Sequence, residues 1–354
     1  MAVVIKTLRS PVFCFAIIIS VIIVATKLQF NNSSGPQTTL LEPKRYLSSR
    51  MAPAARLGNH IFELAAVLGI ARVLNRTATF FIEDDFYREM LENTSEAIPG
   101  LVNQFELVNG TPKCMLKNLN FPPKYFSEKL IFPPMVPSPT KTTKLNTRCC
   151  IFVDPLILEN VNDQYLHLDG LFYQAWKYFP SMRDELSGYL KKSKKNYWLP
   201  KPDNDTFVTC AHVRRSDFTS NGFAASESTF VRSALDFIQD KENGEKLKNT
   251  IVLFGDDPKF MRNIFNNTSL SDQQDSQILN TTYFVSQNSP SDDLVYAKDV
   301  CDVVLISAPH STFGWWIGYF SKGDKVYYMD IRETNDWVYR VGELNPYDYF
   351  MPHW

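Results

Sequence analysis

The stretch DTFVTCAHVRRSDF, residues 205–218, decides the fold of the second half of this chain. Residues 205–213 are rich in apolar and β-branched side chains, which predicts a buried strand. Arg214, Arg215 and Asp217 follow this strand directly. In a parallel α/β sheet, ligands bind beyond the carboxyl ends of the strands. Two arginines at that position therefore predict a site for an anion.

Strand and helix patterns alternate on the carboxyl side of this stretch. The segments STFVRSALDFIQD (228–240) and KFMRNIF (259–265) predict helices, and NTIVLFGDDP (249–258) between them predicts a strand that ends in a sharp turn. The segment DVVLISAPHSTFGWWIGYF (302–320) predicts a strand, a loop and a helix, and DKVYYMD (324–330) predicts a last strand. This alternation is typical of a parallel, doubly wound sheet, and it favours an α/β fold.

The first half of the body opens with a helix and a strand. GNHIFELAAVLGIARVLNR (58–76) has apolar residues at helical spacing, with Asn59 as the predicted N-cap. TATFFIED (77–84) predicts a strand. The segment at 121–140 is rich in proline, so we predict a loop or an extended arm there.

An apolar segment near the amino terminus predicts a membrane anchor. Residues 11–25 carry no charge and follow Lys6 and Arg9, which favours retention of the amino terminus in the cytosol. A cleaved secretory signal is the alternative, but VATKLQF (24–30) is a poor cleavage site because it lacks the small-x-small pattern. We therefore predict a type II, single-pass protein whose body lies in a lumen.

These patterns predict five regions along the 354 residues. They are a cytoplasmic tail (1–10), a transmembrane helix (11–28), a polar stem (29–50) and two α/β domains (51–200 and 201–354). With 44% hydrophobic residues, each of the two domains has enough apolar material for its own core.

The cysteines indicate structural disulfides in an oxidising compartment. Cys14 lies in the predicted membrane segment, and the spacing of the others matches no zinc motif. At most two disulfides can close among the remaining five, and the sequence leaves their pairing open. These five are Cys114, Cys149, Cys150, Cys210 and Cys301.

Three strand ends offer complementary chemistry for a diphosphate ligand. Arg214 and Arg215 can fork onto phosphate oxygens, with His212 supporting them. A helix N-terminus with hydroxyl groups and a pair of carboxylates follow the two neighbouring strands, and these provide an anion site and acceptors for a nucleobase or a ribose. The residues concerned are Ser311, Thr312 and Phe313 for the helix, and Asp256 or Asp257 for the carboxylates.

Composition and missing motifs exclude several classes of protein. The formal net charge is −1, which gives no global attraction for nucleic acid. No P-loop is present, and no G-x-G-x-x-G follows a strand, which argues against a nucleoside triphosphatase and a dehydrogenase. A D-x-D at 203–205 precedes its strand, at the end opposite the ligand face, so we predict no metal site there.

Three segments resemble the α-1,2-fucosyltransferases of glycosyltransferase family 11. They are ARLGNHIFELAAVLGIAR (55–72), HVRRSDF (212–218) and STFGWWIGYF (311–320), which resemble the amino-terminal, donor-binding and carboxyl-terminal motifs of that family in the same order. The chain departs from these motifs at Ala55, at His60, which stands in place of glutamine, and at Ser216, which stands in place of glycine.

The resemblance implies a GT-B-like fold of two Rossmann-like domains and a Golgi membrane anchor. It also implies transfer of L-fucose from GDP-fucose, with inversion and without a metal or another cofactor, to the 2-hydroxyl of a galactose or a similar sugar on a glycoprotein or glycolipid. Arg214 would hold the β-phosphate with support from Arg215, and Ser311, Thr312 and Phe313 would line the diphosphate.

The base that takes the proton from the acceptor hydroxyl stays open at this stage. Glu63, Asp217 and His60 are the candidates. Two other functions also stay open, which are transfer from a different nucleotide-sugar donor and glycan binding without catalysis in the lumen.

Overall fold

The computed structural model describes residues 43–110, 149–192, 199–201, 203–242, 246, 248–265 and 281–354. Residues 44–354 form one compact unit. The predicted transmembrane helix (11–28) and the proline-rich segment (121–140) lie outside the described residues. Within the part of the chain that is described, no helix combines the length and the apolar character needed to span a bilayer.

The first half contains a parallel sheet of four strands in the order β3-β2-β1-β4. The strands are β1 (Tyr46–Ser49), β2 (Thr77–Ile82), β3 (Glu106–Asn109) and β4 (Tyr165–Leu168). Strand β1 falls in the segment that the sequence analysis assigns to the stem, so the folded body begins earlier than predicted. Its serines face polar partners on β4, which explains why the segment does not read as a buried strand.

Helices cover the first sheet. They are α1 (Leu57–Val73), α2 (Asp85–Ala97), α3 (Pro99–Val102) and α4 (Arg183–Tyr189). Helix α1 is buried along most of its length, including the stretch from His60 to Ala71. The N-cap of α1 is Arg56 and not Asn59, which was predicted. The Asn59 side chain instead accepts a hydrogen bond from Gln174 Nε2 at 2.9 Å.

The second half contains a parallel sheet of five strands in the order β7-β6-β5-β8-β9. The strands are β5 (Thr206–Val213), β6 (Lys248–Gly255), β7 (Thr281–Val285), β8 (Val303–Ile306) and β9 (Val326–Tyr328). The strand order reverses between β5 and β8, which places the crevice for a ligand at their carboxyl ends. The predicted doubly wound, parallel sheet is therefore confirmed.

Helices alternate with the strands of the second sheet and then follow its last strand; the sequence pattern predicts those within 228–240, 259–265 and 302–320, but neither β7 nor the helix that follows it. They are α5 (Ser228–Glu242), α6 (Pro258–Asn263), α7 (Pro290–Val300), α8 (Thr312–Phe320), α9 (Trp337–Arg340) and α10 (Pro346–Tyr349). Helix α8 packs against both α1 and β8, so it connects the two sheets. Trp315 and Trp316 of α8 are fully buried, so they belong to the core.

Two disulfides are present among the described cysteines. Cys210 of β5 pairs with Cys301, which follows α7, and the adjacent residues Cys149 and Cys150 form the second bond. The sequence allowed two disulfides and did not fix either pairing. Cys14 and Cys114 lie outside the described residues.

Candidate functional site

Arg214 follows β5 directly and is held between two carboxylates. Its Nη2 lies 2.6 Å from Asp217 Oδ1, and its Nη1 lies 2.8 Å from Asp256 Oδ2. The backbone N–H of Arg214 donates to Ser226 Oγ at 2.9 Å. Only 13% of the Arg214 side chain is exposed. The guanidinium is therefore rigidly oriented at the carboxyl end of the strand, where the sequence placed it.

Arg215 points towards α6 and contacts the protein more than it faces solvent. Its Nη1 donates to the Ser226 carbonyl at 2.6 Å, and its guanidinium carbon lies 4.2 Å from the ring centroid of Phe260. Its Nε lies 3.7 Å from Asp257 Oδ2. A guanidinium stacked on a ring and bound to a carbonyl is fixed in place, which fits a supporting position.

The two carboxylates after β6 have different local partners. Asp256 Oδ1 accepts from the backbone N–H of Arg215 at 2.9 Å, so Asp256 contacts both arginines. Asp257 is the N-cap of α6, where its Oδ1 accepts from the Phe260 N–H at 2.9 Å. Both carboxylates therefore organise the arginine segment and the adjoining helix.

Arg56, which precedes α1 in the first half of the chain, reaches the same site. Its Nη2 lies 3.5 Å from Asp217 Oδ2, so Asp217 stands between Arg56 and Arg214. We call these three arginines and three carboxylates the arginine cluster; its members are Arg56, Arg214, Arg215, Asp217, Asp256 and Asp257. The formal charges in the cluster cancel, so it would hold an anion by directed N–H groups and not by net charge.

The N-terminus of α8 lies against the N-terminus of α1. Ser311 is the N-cap of α8, and its Oγ accepts from the Gly314 N–H at 3.4 Å. A β-carbon added to Gly58 would stand 2.7 Å from both Phe313 N and Thr312 Oγ1. The indole N–H of Trp316 donates to the Gly58 carbonyl at 2.9 Å. The predicted anion site at Ser311 to Phe313 is thus bounded by the first half of the chain.

His212 lies behind the arginines and is closed to solvent. Its side chain is buried, and burial together with the nearby charge of Arg214 lowers its pKa to about 3. A β-carbon on Gly314 would stand 2.6 Å from His212 Nδ1, so α8 packs directly on the ring. A neutral imidazole packed under α8 agrees with the supporting role that the sequence predicts for His212, and its place among the donor-binding residues stays a prediction.

Two of the three predicted bases are buried, and the third is held in ion pairs. Glu63 is fully buried, and both of its oxygens accept backbone hydrogen bonds. His60 is also buried, which lowers its pKa. Asp217 is ion-paired with Arg214 and with Arg56. The structure therefore brings Asp217 into the arginine cluster and buries Glu63 and His60 within α1.

The structure also shows the positions of Ser216, which departs from the family motif, and of the D-x-D at 203–205. Ser216 has a φ of −9°, so it does not occupy the left-handed conformation that would need the glycine of the family motif. Asp203 of the D-x-D lies before β5, at the opposite edge of the sheet from the arginine cluster. A hydrogen-bonded ion pair with Lys248 lowers the pKa of Asp203 to about 2. Asp203 therefore has a charged partner within the protein.

The sequence reasoning missed four residues that build the site. Ser226, just before α5, and Ser307, directly after β8, share a hydrogen bond at 2.7 Å. Arg56 and Gly58 bring α1 to the cluster. Arg56 and Gly58 lie inside the quoted amino-terminal motif, so their presence there was the available signal. Nothing in the sequence pairs Ser226 with Ser307, because 81 residues separate them.

The chain is similar in sequence to several known proteins. The family model described as glycosyl transferase family 11 matches residues 152–351. A Caenorhabditis elegans protein described as a candidate galactoside 2-alpha-L-fucosyltransferase is 41% identical over 312 residues, which are 88% of this chain and 78% of that protein. A second protein of that organism, named galactoside 2-alpha-L-fucosyltransferase, is 32% identical over 324 residues, 85% of this chain and 74% of that protein. The crystal structure of POFUT1 in complex with GDP-fucose matches with a TM-score of 0.40 and 12% identity, over 82% of this chain and 99% of that chain.

Parallel sheets with an anion-binding strand end at the switch point are typical of nucleotide-binding α/β proteins. The family model and the sequence identity to these relatives identify one family within this class of nucleotide-binding proteins. This chain belongs to glycosyltransferase family 11.

Proposed function

We propose that the protein transfers L-fucose from GDP-fucose to the 2-hydroxyl of a galactose on a glycan, with inversion at the anomeric carbon. The bond from the anomeric carbon to the β-phosphate oxygen breaks, with its electron pair leaving on GDP. The bond to the acceptor oxygen forms, and the proton of the acceptor hydroxyl is released to solvent. The observation that carries the proposal is the meeting of three segments at one place. Arg56 and Gly58 of the first segment contact Asp217 of the second and Phe313 of the third.

Arg214 is the group that we propose to stabilise the departing GDP. A guanidinium has five N–H donors, so Arg214 keeps donors for a phosphate beyond its two carboxylate contacts. Each charge-assisted hydrogen bond contributes about 1.5–3 kcal/mol, and about 1.4 kcal/mol is one decade of rate. Two such bonds therefore account for roughly two to four decades. They act on charge that develops only as the bond to fucose breaks.

The first turn of α8 is proposed to hold the rest of the diphosphate. Backbone N–H groups at a helix N-terminus bind phosphate oxygens, and the helix dipole adds to this attraction. Thr312 and Phe313 lie in this turn, next to Ser311. With Arg214, they supply the positive charge and the donors that other transferases take from a divalent ion, so we propose that no metal or other cofactor takes part.

Asp217 and Asp256 are proposed to orient Arg214 before the donor binds. Each contacts one nitrogen of the fork, which fixes the plane of the guanidinium. Because Asp217 is an anion in the place that a phosphate approaches, donor binding is expected to exchange part of this contact for phosphate. Asp257 holds α6 through its cap, and either Asp256 or Asp257 is proposed to accept from a nucleobase or a ribose.

We also propose that the protein is a type II, single-pass protein of the Golgi membrane with its body in the lumen. The support is the uncharged segment at 11–25 behind Lys6 and Arg9. Protease protection of the body in sealed microsomes tests this placement, and cleavage of the body without detergent would contradict it.

A nucleotide panel and a lysine variant test the proposed activity. GDP should raise the melting temperature of the full chain more than UDP does, and labelled GDP-fucose should label a β-galactoside on a glycan array. Arg214→Lys should lose most of the turnover, because a point charge does not reproduce the planar fork. Arg88→Lys is the matched control, since Arg88 pairs with Asp85 on an exposed face of α2.

The possible results separate the three functions. Preference for UDP would indicate a different donor. Binding of free glycans without any nucleotide effect would indicate a glycan-binding protein. Full turnover of Arg214→Lys would show that Arg214 does not stabilise the departing GDP. The donor would then be identified by the nucleotide panel alone.

A further inference from the structure

Glu63 joins two segments of the first sheet that are far apart in the sequence. Its Oε1 accepts from the Phe172 N–H at 2.8 Å, and its Oε2 accepts from the Ala52 N–H at 3.1 Å. Ala52 lies in the segment that follows β1, and Phe172 lies in the segment that follows β4. The side chain of Glu63 is fully buried on α1. One carboxylate therefore fixes both segments at the carboxyl edge of the sheet.

The segment after β4 needs such a restraint. Phe172 has a φ of 70° and Tyr173 has a φ of 45°, so two consecutive residues with side chains are in the left-handed region. Each such conformation costs on the order of 1 kcal/mol or more, and it persists only where the surroundings hold it. The Tyr173 hydroxyl is 2.7 Å from Ser49 Oγ, at the end of β1. Glu63 and Ser49 thus hold the turn from two directions.

The two segments border the crevice of the first sheet. Its strand order, β3-β2-β1-β4, reverses between β1 and β4, which is where a second ligand of an open α/β sheet binds. Arg50 follows β1 and Asp169 follows β4, and their charged groups lie 3.6 Å apart with side chains 61% and 63% exposed. Exposed charged groups at this edge are suited to hydrogen bonds with sugar hydroxyls.

We propose that Glu63 is a positioning residue that fixes the segments after β1 and β4 in the shape of an acceptor-sugar subsite. The inference rests on the proposed transfer function and replaces the role of Glu63 as a base. Glu63 acts through the backbone of Ala52 and Phe172 and does not touch the sugar. The sugar is expected to contact the exposed rim, at Arg50 and Asp169.

The ionised form of Glu63 is the form that holds both segments. A carboxylate has two acceptor oxygens for the two N–H groups, whereas the protonated acid turns an O–H towards one of them. Burial raises the pKa of Glu63 to about 7, against the opposing effect of the two backbone hydrogen bonds. The ionisable groups that interact electrostatically with Glu63 are Tyr87 on α2 and Tyr173 after β4, and His60 precedes it by three residues on α1.

Acceptor binding and stability should therefore respond to pH in opposite directions. As pH rises through about 7, Glu63 ionises and the subsite is completed, so the acceptor KM should fall. The same ionisation removes stability, because the folded state binds a proton that the unfolded chain has already released above its own pKa. A group with a general role in folding would not improve acceptor binding while the protein becomes less stable.

The experiment compares Glu63→Gln, Glu63→Asp and the wild type across a pH range that spans 7, with the full chain. Glu89→Gln on the exposed face of α2 is the matched control. Acceptor KM, donor KM and kcat are measured with GDP-fucose and a β-galactoside, and the melting temperature is measured at each pH. The amide of Gln offers one acceptor for two N–H groups, and one lost charge-assisted bond corresponds to roughly tenfold to hundredfold in binding.

The expected result is an acceptor KM for Glu63→Gln that is raised by about tenfold or more and does not change with pH, with the donor KM unchanged. The wild-type acceptor KM should fall through pH 7 while its melting temperature falls. An unchanged acceptor KM in Glu63→Gln, or an equal rise in donor KM, overturns the proposal. If Glu63→Gln does not fold, Glu63→Asp tests the proposal. This variant should have a raised acceptor KM that still falls with rising pH, and an unchanged acceptor KM overturns the proposal. Wild-type protein that binds no GDP would contradict the proposed function instead.

Discussion

Gly58 of α1 lies directly against Phe313 of α8, so close that a β-carbon on Gly58 would stand 2.7 Å from the Phe313 nitrogen. The contact joins the half of the chain that carries the first sheet to the half that carries the arginine cluster. It also fixes the distance between the helix N-terminus and the segment that carries Arg56. Two predictions about the site follow from the contacts of this region.

Gly58→Ala should push α1 away from α8. The added methyl group meets backbone and a hydroxyl at 2.7 Å, and neither neighbour is the far end of a flexible side chain. Overpacking of this kind costs about 1–3 kcal/mol of unfolding free energy. We expect a lower melting temperature together with a smaller stabilisation by GDP, both measured by thermal unfolding.

Gly188→Ala is the matched control for this variant. Gly188 lies in α4, and no atom is within 4 Å of the position that its β-carbon would take. Replacing a helical glycine with alanine stabilises by roughly 0.5–1 kcal/mol where space allows. A Gly58→Ala protein that behaves like Gly188→Ala would show that the contact between α1 and α8 does not shape the site.

The order of the elements was predictable because each strand and helix has its own local pattern. The buried strand β5 and the tryptophans of α8 read correctly from apolar runs that lie next to clear turns. Strand β1 was not recognised. Its buried serines, Ser48 and Ser49, hydrogen-bond to Tyr165 and Tyr173, which come from distant parts of the chain. Local patterns carry no information about such partners.

The sequence predicts which residues follow the strand ends, but it does not predict which of them form ion pairs. The residues after β5, β6 and β8 were identified because parallel strands share one carboxyl edge. The pairing of each arginine with a carboxylate depends on side-chain directions and on Arg56, which comes from the other half of the chain. For the same reason, Glu63 read as an accessible base although it is buried beneath two backbone N–H groups.

Asp217→Asn should strengthen GDP binding and weaken turnover. The change removes a negative charge from the side of Arg214 where a phosphate approaches, and it keeps one oxygen for a hydrogen bond. A charge removed from a partly exposed site at this distance changes binding on the order of tenfold. Turnover should fall because the guanidinium is held less firmly in its plane. Calorimetry with GDP measures the first effect, and kcat measures the second.

Asp85→Asn controls for the loss of a negative charge elsewhere, because Asp85 is an exposed partner of Arg88. If Asp217→Asn binds GDP more weakly than the wild type, Asp217 does not compete with the phosphate. Its contribution would then lie in holding Arg214 ready for the ligand.

The disulfide between Cys210 and Cys301 should stabilise the fold far more than the bond between Cys149 and Cys150. A disulfide acts mainly by restricting the unfolded chain, and the effect grows with the length of the closed loop. The first pair is 91 residues apart and the second is 1 residue apart. Replacing both members of the first pair with alanine should cost about 2–5 kcal/mol of unfolding free energy. Denaturant unfolding of the two double variants measures the difference, and equal losses would contradict this account.

Asp293 should make the protein less stable as pH rises towards neutrality. It is buried at the start of α7, where burial raises its pKa to about 7 while a hydrogen bond from Ser286 Oγ at 2.5 Å opposes the shift. The folded state therefore binds a proton between the normal pKa of an aspartate and about 7, and the unfolded state does not. The slope of the unfolding free energy against pH is then negative in that window, by up to about 1.4 kcal/mol per pH unit for one group. Asp293→Asn should flatten part of this slope in denaturant unfolding at successive pH values, whereas Asp85→Asn should leave it as it is. A slope that survives unchanged in Asp293→Asn would mean that this carboxyl stays ionised in the folded protein.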